Sequence, residues 1–313
     1  MIPCTAIESI RQQYAVSDVL YWLDRAKRAN AVVIGEEIID EYIYVQPLFK
    51  SSKDNIIGYQ PVGRQIWDGG ASIVAEDLRQ FASSVKRMSN GPPVRKLRYV
   101  DNSFKQKLFS VIEQPTVIPL GGLSHEVTDA ELIVVADYGH GLINRAGAHR
   151  IATVPGVTPG PGPSFLAITV QSNSANWGFN QLTKWPHANY IVVDRNELQL
   201  ACADRDTEIV ELADRMRRNM NADYFAVTLG HQGCLVLGKD SQHYFPVLSD
   251  SVVDRMGAGD AFLAATAPLA WAGAPPEIIA LVGNIAGAIK VGKLGNQPIM
   301  RSEVDAWLHK TLD

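Results

Sequence analysis

The segment DRMGAGDAF, residues 254–262, combines residue types that suit phosphate chemistry. Gly257 and Gly259 allow backbone conformations closed to other residues, and a helix that starts there directs free N–H groups and partial positive charge outward. Such a helix start binds anions, phosphate above all. Asp260 then stands beside the anion, where its carboxylate can accept the proton of an attacking hydroxyl. The pattern alone also fits a glycine turn that merely starts a helix, and both interpretations stay open here.

The same segment resembles the second signature, D-T-x-G-A-G-D, of the PfkB/ribokinase family of carbohydrate and nucleoside kinases. The resemblance implies that Asp260 is the catalytic base. It also implies that the backbone amides of Gly257, Ala258 and Gly259 form the anion hole for the transferred phosphoryl group. Asp254, the first residue of the segment, is then assigned to the cofactor site.

The resemblance extends over roughly residues 30–310. VIGEEIIDEY resembles the family's opening strand, whose aspartate, here Asp40, contacts sugar hydroxyls. DGGASIVA resembles the glycine pair of the first signature, Gly69 and Gly70. AVTLGHQG and NIAGAIKVGKLGN resemble segments that line the ATP site and its adenine end. The residues implied there are Thr228, Gly230, Gly233 and Asn284.

Within the family, VVADYGHGLI and KVGKLG point to the heptose-phosphate kinase domain of bifunctional ADP-heptose synthases and their stand-alone relatives. This resemblance implies that Asp137 lies near the sugar. Basic residues between 96 and 107 then meet a phosphate already on the sugar, since arginine and lysine pair with phosphate oxygens. They are Lys96, Arg98, Lys105 and Lys107. The same residues also fit a solvated strand face.

The family's N-x-x-E segment, which organises the water shell of magnesium and phosphate, has its counterpart in residues 194–197. Glu197 is retained, and Asp194 stands where the asparagine is expected. A carboxylate there still suits a hydrated cation. The resemblance therefore implies ATP and Mg2+ as cofactors.

Four positions depart from the family pattern. Arg255 replaces a threonine, Glu36 replaces an aspartate, and Ile73 replaces an asparagine that normally meets a sugar hydroxyl. His140 replaces the lysine of D-Y-G-K-G and either donates to a substrate phosphate or is a polar surface residue. These departures leave the identity of the substrate open.

Buried strands alternate with helical stretches from about residue 131 onward, beginning with ELIVVADYGHG. This pattern predicts an α/β fold, specifically a ribokinase-like, doubly wound, mainly parallel sheet with helices on both faces. A helical leader is predicted over 1–29 and a kinase domain over 30–313, with a small β-lid at about 41–67 and 96–118. Between the helix predicted over 68–85 and the strand at 96, one βα unit is predicted to be missing.

The composition limits the class of partner. The net charge is −4, and no Lys/Arg block is present, which argues against nucleic acid or an anionic membrane as partner. Three distant cysteines predict ordinary thiols, and the lack of an apolar leader or span predicts a cytoplasmic protein. A sugar or sugar phosphate is the expected partner.

The leading interpretation is an ATP-dependent sugar kinase acting on a phosphorylated heptose or a related sugar. Another PfkB activity, on a nucleoside or a different sugar, is one alternative, and a catalytically silent protein that kept the fold for interaction is another. Nicotinamide-dependent redox is excluded because no G-x-G-x-x-G follows the first strand. Lid strands in this fold often pair between subunits, so the resemblance also implies a homodimer through the lid.

Overall fold

The computed structural model describes residues 4–158, 162–249 and 251–313, so residues 1–3 of the predicted leader lie outside it. Two helices open the chain and are followed by a strand-rich segment. In chain order the elements are α1 (Cys4–Gln13), α2 (Val16–Ala26), β1 (Asn30–Gly35), β2 (Glu37–Lys50), β3 (Ile57–Gly70), α3 (Ala71–Leu78), β4 (Ser84–Met88), β5 (Val94–Asp101) and β6 (Lys107–Glu113).

The second half alternates strands and helices and ends in three helices. In chain order its elements are α4 (His125–Thr128), β7 (Leu132–Asp137), α5 (Arg145–Ala152), β8 (Phe165–Val170), β9 (Tyr190–Asp194), α6 (Arg195–Cys202), α7 (Ile209–Asn219), β10 (Tyr224–Thr228), β11 (Cys234–Leu237), β12 (Gln242–Phe245), α8 (Ala258–Trp271), α9 (Pro276–Val291) and α10 (Arg301–Leu312). Single 3-10 turns lie at Leu182–Lys184 and Gly230–Gln232.

Eight strands form the main sheet in the order β12-β11-β10-β9-β8-β7-β1-β4. From β4 to β10 all neighbours are parallel, and β11 and β12 add an antiparallel edge. Alternate side chains enter two separate cores: Val33 and Val134 pack with α8 and α9, whereas Val32 and Val135 pack with α5 and α7. The strands are apolar on both faces because helices cover both. The predicted fold class is confirmed.

One prediction about this sheet is partly wrong. Ser84–Met88 forms β4, which pairs in parallel with β1 at the sheet edge, so the strand predicted to be missing is present. Only the helix is absent, since the described chain passes from β4 to β5 through residues 89–93 without one. The strand escaped prediction because its edge position tolerates polar side chains: Arg87 and Lys86 pair with carboxylates rather than entering a core.

Four strands form a second, small sheet in the order β3-β2-β5-β6. The predicted lid segments lie largely within it. β2 follows β1 after one residue, and β3 runs directly into α3, so the small sheet stands over the carboxyl edge of the main sheet. Ligands bind at this edge in open α/β sheets. None of the described helices is both long and apolar enough to cross a bilayer.

Candidate active site

The start of α8 has the geometry of an anion site. Gly257 is its N-cap and has a φ of 72°, in the left-handed region that favours glycine. A Cβ at this position would lie 2.8 Å from Cε of Lys290 and would overlap Oδ1 of Asn296. The first N–H groups of a helix lack intrahelical acceptors, so those of Ala258 and Gly259 are free to bind an anion.

Asp260 lies in the first turn of α8 and is almost fully buried. The hydroxyl of Tyr138, directly after β7, donates a 2.8 Å hydrogen bond to its Oδ1. Burial raises the pKa of Asp260, and the hydrogen bond from Tyr138 and two nearby ammonium groups oppose that rise. The ammonium groups belong to Lys290 and Lys96. A buried carboxylate that is balanced in this way is suited to act as a general base.

A cleft of about 330 Å³ lies beside the start of α8. Four of the five residues expected from sequence at the cofactor site line it: Thr228, Gly230, Gly233 and Asn284. Gly233 has a φ of 97°, and a Cβ there would overlap the carbonyl oxygen of Phe245. Ala258, Gly259 and Arg255 complete the same wall, so the cleft and the anion site are continuous.

Asn284 uses its amide within the protein. Its Nδ2 donates to Sγ of Cys234 at 2.9 Å and to the carbonyl of Ala280 at 3.0 Å. Cys234 is buried, and burial raises the pKa of its thiol to about 12, so it remains a neutral thiol. The predicted contact between Asn284 and adenine therefore rests on its position in the wall of the cleft.

Asp254 does not line the cleft. Its carboxylate accepts hydrogen bonds from the hydroxyl of Tyr42 at 2.5 Å and from Nζ of Lys107 at 2.8 Å. Tyr42 and Lys107 belong to β2 and β6, so Asp254 ties the small sheet to the loop before α8. These contacts support a structural role in place of the cofactor role expected for Asp254.

Several of the expected sugar-binding residues lie on or beside the site-facing side of the small sheet. Asp40 accepts two hydrogen bonds from Arg98, at 3.1 and 2.8 Å, and its charge acts on Asp260. A Cβ on Gly69 would lie 2.8 Å from Oδ2 of Asp40, so glycine at this position leaves room for the carboxylate. Gly70 has a φ of 61° and is the N-cap of α3.

Lys96 on β5 pairs with Asp40 on β2, so the two side chains lie on the same face of the small sheet. Burial lowers the pKa of its ammonium, although the carboxylates of Asp40, Asp260 and Glu36 favour the charged form. The small sheet therefore brings Lys96 close to the expected base. The ammonium of Lys105 instead donates to Oδ1 of Asn102 at 3.1 Å and packs over the ring of Tyr44.

Asp137 differs from its expected role near the sugar. Its side chain is fully buried at the end of β7 and forms a 2.5 Å ion pair with Lys184. It also accepts hydrogen bonds from Trp185 at 3.3 Å and Asn180 at 3.1 Å. These partners occupy the carboxylate, so Asp137 anchors the loops around β7 rather than facing a ligand.

Glu36, noted in the sequence only as a departure, positions the loop after β7. Its carboxylate accepts hydrogen bonds from the backbone amides of Tyr138 and His140, both at 3.0 Å, and of Leu142 at 3.3 Å. Burial and the charge of Asp137 raise the pKa of Glu36. An acidic residue directly after a fully apolar strand was the available signal for this role.

Asp194 and Glu197 form a reciprocal cap at the start of α6. Oδ1 of Asp194 accepts from the amide of Glu197 at 2.8 Å, and Oε2 of Glu197 accepts from the amide of Asp194 at 2.7 Å. Burial and the charge of Asp194 raise the pKa of Glu197 to about 8. Two carboxylates that repel each other suit a cation, yet the described residues hold no group of three ligands for a bare ion. This donor set fits a hydrated Mg2+.

A family model matches part of the chain. The sequence model of the pfkB family carbohydrate kinases matches residues 168–302, which include the cleft and the start of α8. This chain contains a PfkB-family region. The predicted family and its class of enzyme, carbohydrate kinase, are thereby confirmed.

Two curated relatives carry related names. The D-beta-D-heptose 7-phosphate kinase of Bordetella bronchiseptica is 22% identical over 318 residues, covering 91% of this chain and 97% of the relative. The bifunctional protein HldE of Methylobacillus flagellatus is 27% identical over 180 residues, covering 55% of this chain and 34% of HldE. The chain thus matches about a third of the length of this bifunctional relative.

Solved structures support the fold of this chain. Ribokinase from Thermotoga maritima aligns with a TM-score of 0.64 at 17% identity, covering 90% of this chain and 99% of the ribokinase. Phosphofructokinase-2 from Escherichia coli aligns with a TM-score of 0.69 at 13% identity, with the same coverage. At these identities the likeness concerns the fold alone.

The departures from the PfkB pattern lie in different parts of the site. Arg255 is exposed at the wall of the cleft. Ile73 is buried in α3, and His140 is buried in the loop after β7. The cleft and the buried position of Asp260 are both present despite these departures.

Proposed function

We propose that this protein is an ATP-dependent kinase that transfers the γ-phosphate to a hydroxyl of a sugar, a heptose phosphate or a related sugar. One observation carries the proposal. Asp260 is buried at the N-terminus of α8, between the cleft lined by the expected nucleotide residues and the face of the small sheet that bears Asp40 and Lys96. The matching PfkB region and the name of the Bordetella bronchiseptica relative support the choice of substrate class.

In the proposed reaction the acceptor hydroxyl loses its proton to Asp260 as its oxygen attacks the phosphoryl group. The amides of Gly257, Ala258 and Gly259 stabilise the charge that develops on the transferred group. Bound ATP would supply the γ-phosphoryl group and leave as ADP, and a bound Mg2+ would neutralise part of the phosphate charge. Asp194 and Glu197 would hold that hydrated ion, while Asp40 and Arg98 orient the sugar.

The test is an ADP-release assay with MgATP over a panel of sugar phosphates, free sugars and nucleosides. We expect turnover with at least one sugar, and a loss of about 10³-fold or more in Asp260→Asn, which removes the base. Asp240→Asn is the matched control, since Asp240 is exposed and does not line the cleft. A thermal shift with ATP should be retained by both variants. If no panel member is turned over and ATP produces no shift, the kinase proposal fails and a silent interaction protein is favoured.

We further propose that two copies associate through the outer face of the small sheet. Ile66, Leu97 and Val111 share this face, opposite Asp40 and Lys96. Ile66, Phe109 and Val111 are 56%, 52% and 44% exposed, an unusual density of apolar side chains for a free sheet face. Light scattering should give the mass of a dimer for the wild type and of a monomer for Phe109→Glu. The cytoplasmic location stays a prediction.

A further inference from the structure

The loop after β7 holds the imidazole of His140 in one place. Glu36 accepts the amide hydrogens of Tyr138, His140 and Leu142, which fixes the backbone on both sides of the ring. The side chain is only 2% exposed, so the ring has little freedom to rotate. Its hydrogen-bonding character is therefore set by its neighbours.

Gln114, directly after β6, determines which nitrogen of that ring carries the proton. Its Nε2 donates to the carbonyl oxygen of His140 at 3.2 Å, and its Oε1 lies 3.2 Å from Nδ1 of the same residue. An amide turned the other way would place two oxygens against each other, so this orientation is favoured. Because Oε1 can only accept, Nδ1 must carry the hydrogen.

The other ring nitrogen is then an acceptor that lacks a donor. Nε2 of His140 is buried and makes no hydrogen bond with any residue that the structure describes. Burial and the nearby charge of Lys96 lower the pKa of His140 to about 4, so the ring is neutral at pH 7. A neutral ring with hydrogen on Nδ1 presents a lone pair at Nε2.

Lys96 supplies the complementary group. Its ammonium is close enough to act on His140 and Asp260, yet it forms neither a hydrogen bond nor an ion pair within the described part of the chain. Arg98, by contrast, is held by two hydrogen bonds to Asp40. Lys96 pairs with Ile112 across the small sheet, two residues before the Gln114 that contacts His140. A donor and an acceptor without partners in the described chain thus lie in the same part of the site.

We propose that Nε2 of His140 and the ammonium of Lys96 together bind one free hydroxyl of the acceptor sugar. The hydroxyl donates its hydrogen to Nε2 and accepts one from Lys96, a combination that a hydroxyl offers and a phosphate dianion does not. A phosphate would set its negative oxygens against the lone pair. The inference rests on the proposed sugar kinase function, and it replaces both the expected donation from His140 to phosphate and the expected phosphate contact of Lys96.

The first test reads the ring directly and needs no turnover. A long-range 1H–15N spectrum of the full chain distinguishes the two tautomers, and the signal of His140 among seven histidines is the one lost in His140→Gln. We expect hydrogen on Nδ1 at pH 7. Titration with ribose, fructose and mannoheptulose should move the Nε2 resonance for at least one sugar, whereas inorganic phosphate should leave it unchanged. Hydrogen on Nε2, a response to phosphate, or no response to any sugar overturns the proposal.

A matched pair of variants supplies the kinetic test. His140→Asn keeps a polar group at the position of Nδ1 but has none at Nε2, whereas His140→Gln extends an amide to the position of Nε2. We expect KM for the sugar to rise about tenfold in His140→Asn. In His140→Gln it should stay within about threefold of the wild-type value. ATP-dependent thermal shifts should match the wild type in both. Equal KM values in the two variants contradict the proposal. If the wild type turns over no sugar at all, that result counts against the kinase proposal alone.

Discussion

Asp77 and Lys290 form an ion pair that is fully buried in the core. Asp77 on α3 and Lys290 on α9 are fully buried, and the ammonium lies 3.1 Å from Oδ2 of the carboxylate. Oδ1 of Asp77 accepts the amide hydrogen of Ile299 at 2.8 Å. Lys290→Met removes the cation, keeps most of the side-chain volume, and leaves the carboxylate alone in the core.

The expected loss of unfolding free energy can be bounded. Removing one partner of a buried ion pair costs about 3–5 kcal/mol. The unpaired carboxyl can become neutral by taking up a proton. Protonating a group with the ordinary pKa of aspartate costs about 4 kcal/mol at pH 7 and about 2 kcal/mol at pH 5. Burial already raises the pKa of Asp77 to about 6 despite Lys290, so protonation is within reach. The loss should therefore be about 3–4 kcal/mol at pH 7 and smaller at pH 5.

Urea unfolding followed by circular dichroism at the two pH values measures this loss. The double variant Asp77→Asn/Lys290→Met is the control, because it removes both charges while an amide oxygen at position 77 can still accept from Ile299. We expect it to lie within about 1 kcal/mol of the wild type. A single variant that loses less than about 1 kcal/mol at pH 7, or a double variant as unstable as the single one, would refute the reasoning.

Two further predictions concern the start of α8. Tyr138→Phe removes a hydrogen bond that opposes the raised pKa of Asp260, so the acid limb of the pH profile of kcat/KM should move to higher pH; an unmoved limb contradicts this. Gly257→Ala forces an alanine to a φ of 72° and overlaps Asn296, so urea unfolding should show a loss of about 1–3 kcal/mol. Gly259→Ala is its control for stability, because a Cβ there meets nothing within 4 Å.

The main sheet was predictable because its strands are apolar on both faces. Residues such as Val32 and Val33 on β1 enter opposite cores, which leaves a continuous apolar run as the signal. The residues of the cleft were predicted from the resemblance of their segments to the ATP-site segments of the family. Thr228 ends β10 and Gly230 follows it, and the structure places both in the same cleft as Ala258 and Gly259 of α8.

The direction of single carboxylates was not predictable. Asp137 and Asp194 both end parallel strands, yet one is buried against Lys184 and the other is exposed at the start of α6. Lys184, the partner of Asp137, is 47 positions away in the chain, so the local sequence pattern around Asp137 does not indicate the ion pair. Asp254 is similar, since its partners Tyr42 and Lys107 come from the distant small sheet.

The charges around Asp260 come from two parts of the fold that differ in freedom. Lys290 is fixed in the core by Asp77, whereas Lys96 belongs to the small sheet, which Asp254 ties to the body through Tyr42 and Lys107. Both ammonium groups oppose the burial that raises the pKa of Asp260. Movement of the small sheet away from the body would withdraw one of them and leave the other. Asp40 on the same sheet acts in the opposite direction and raises the pKa of Asp260, so the small sheet brings one group of each charge to the base.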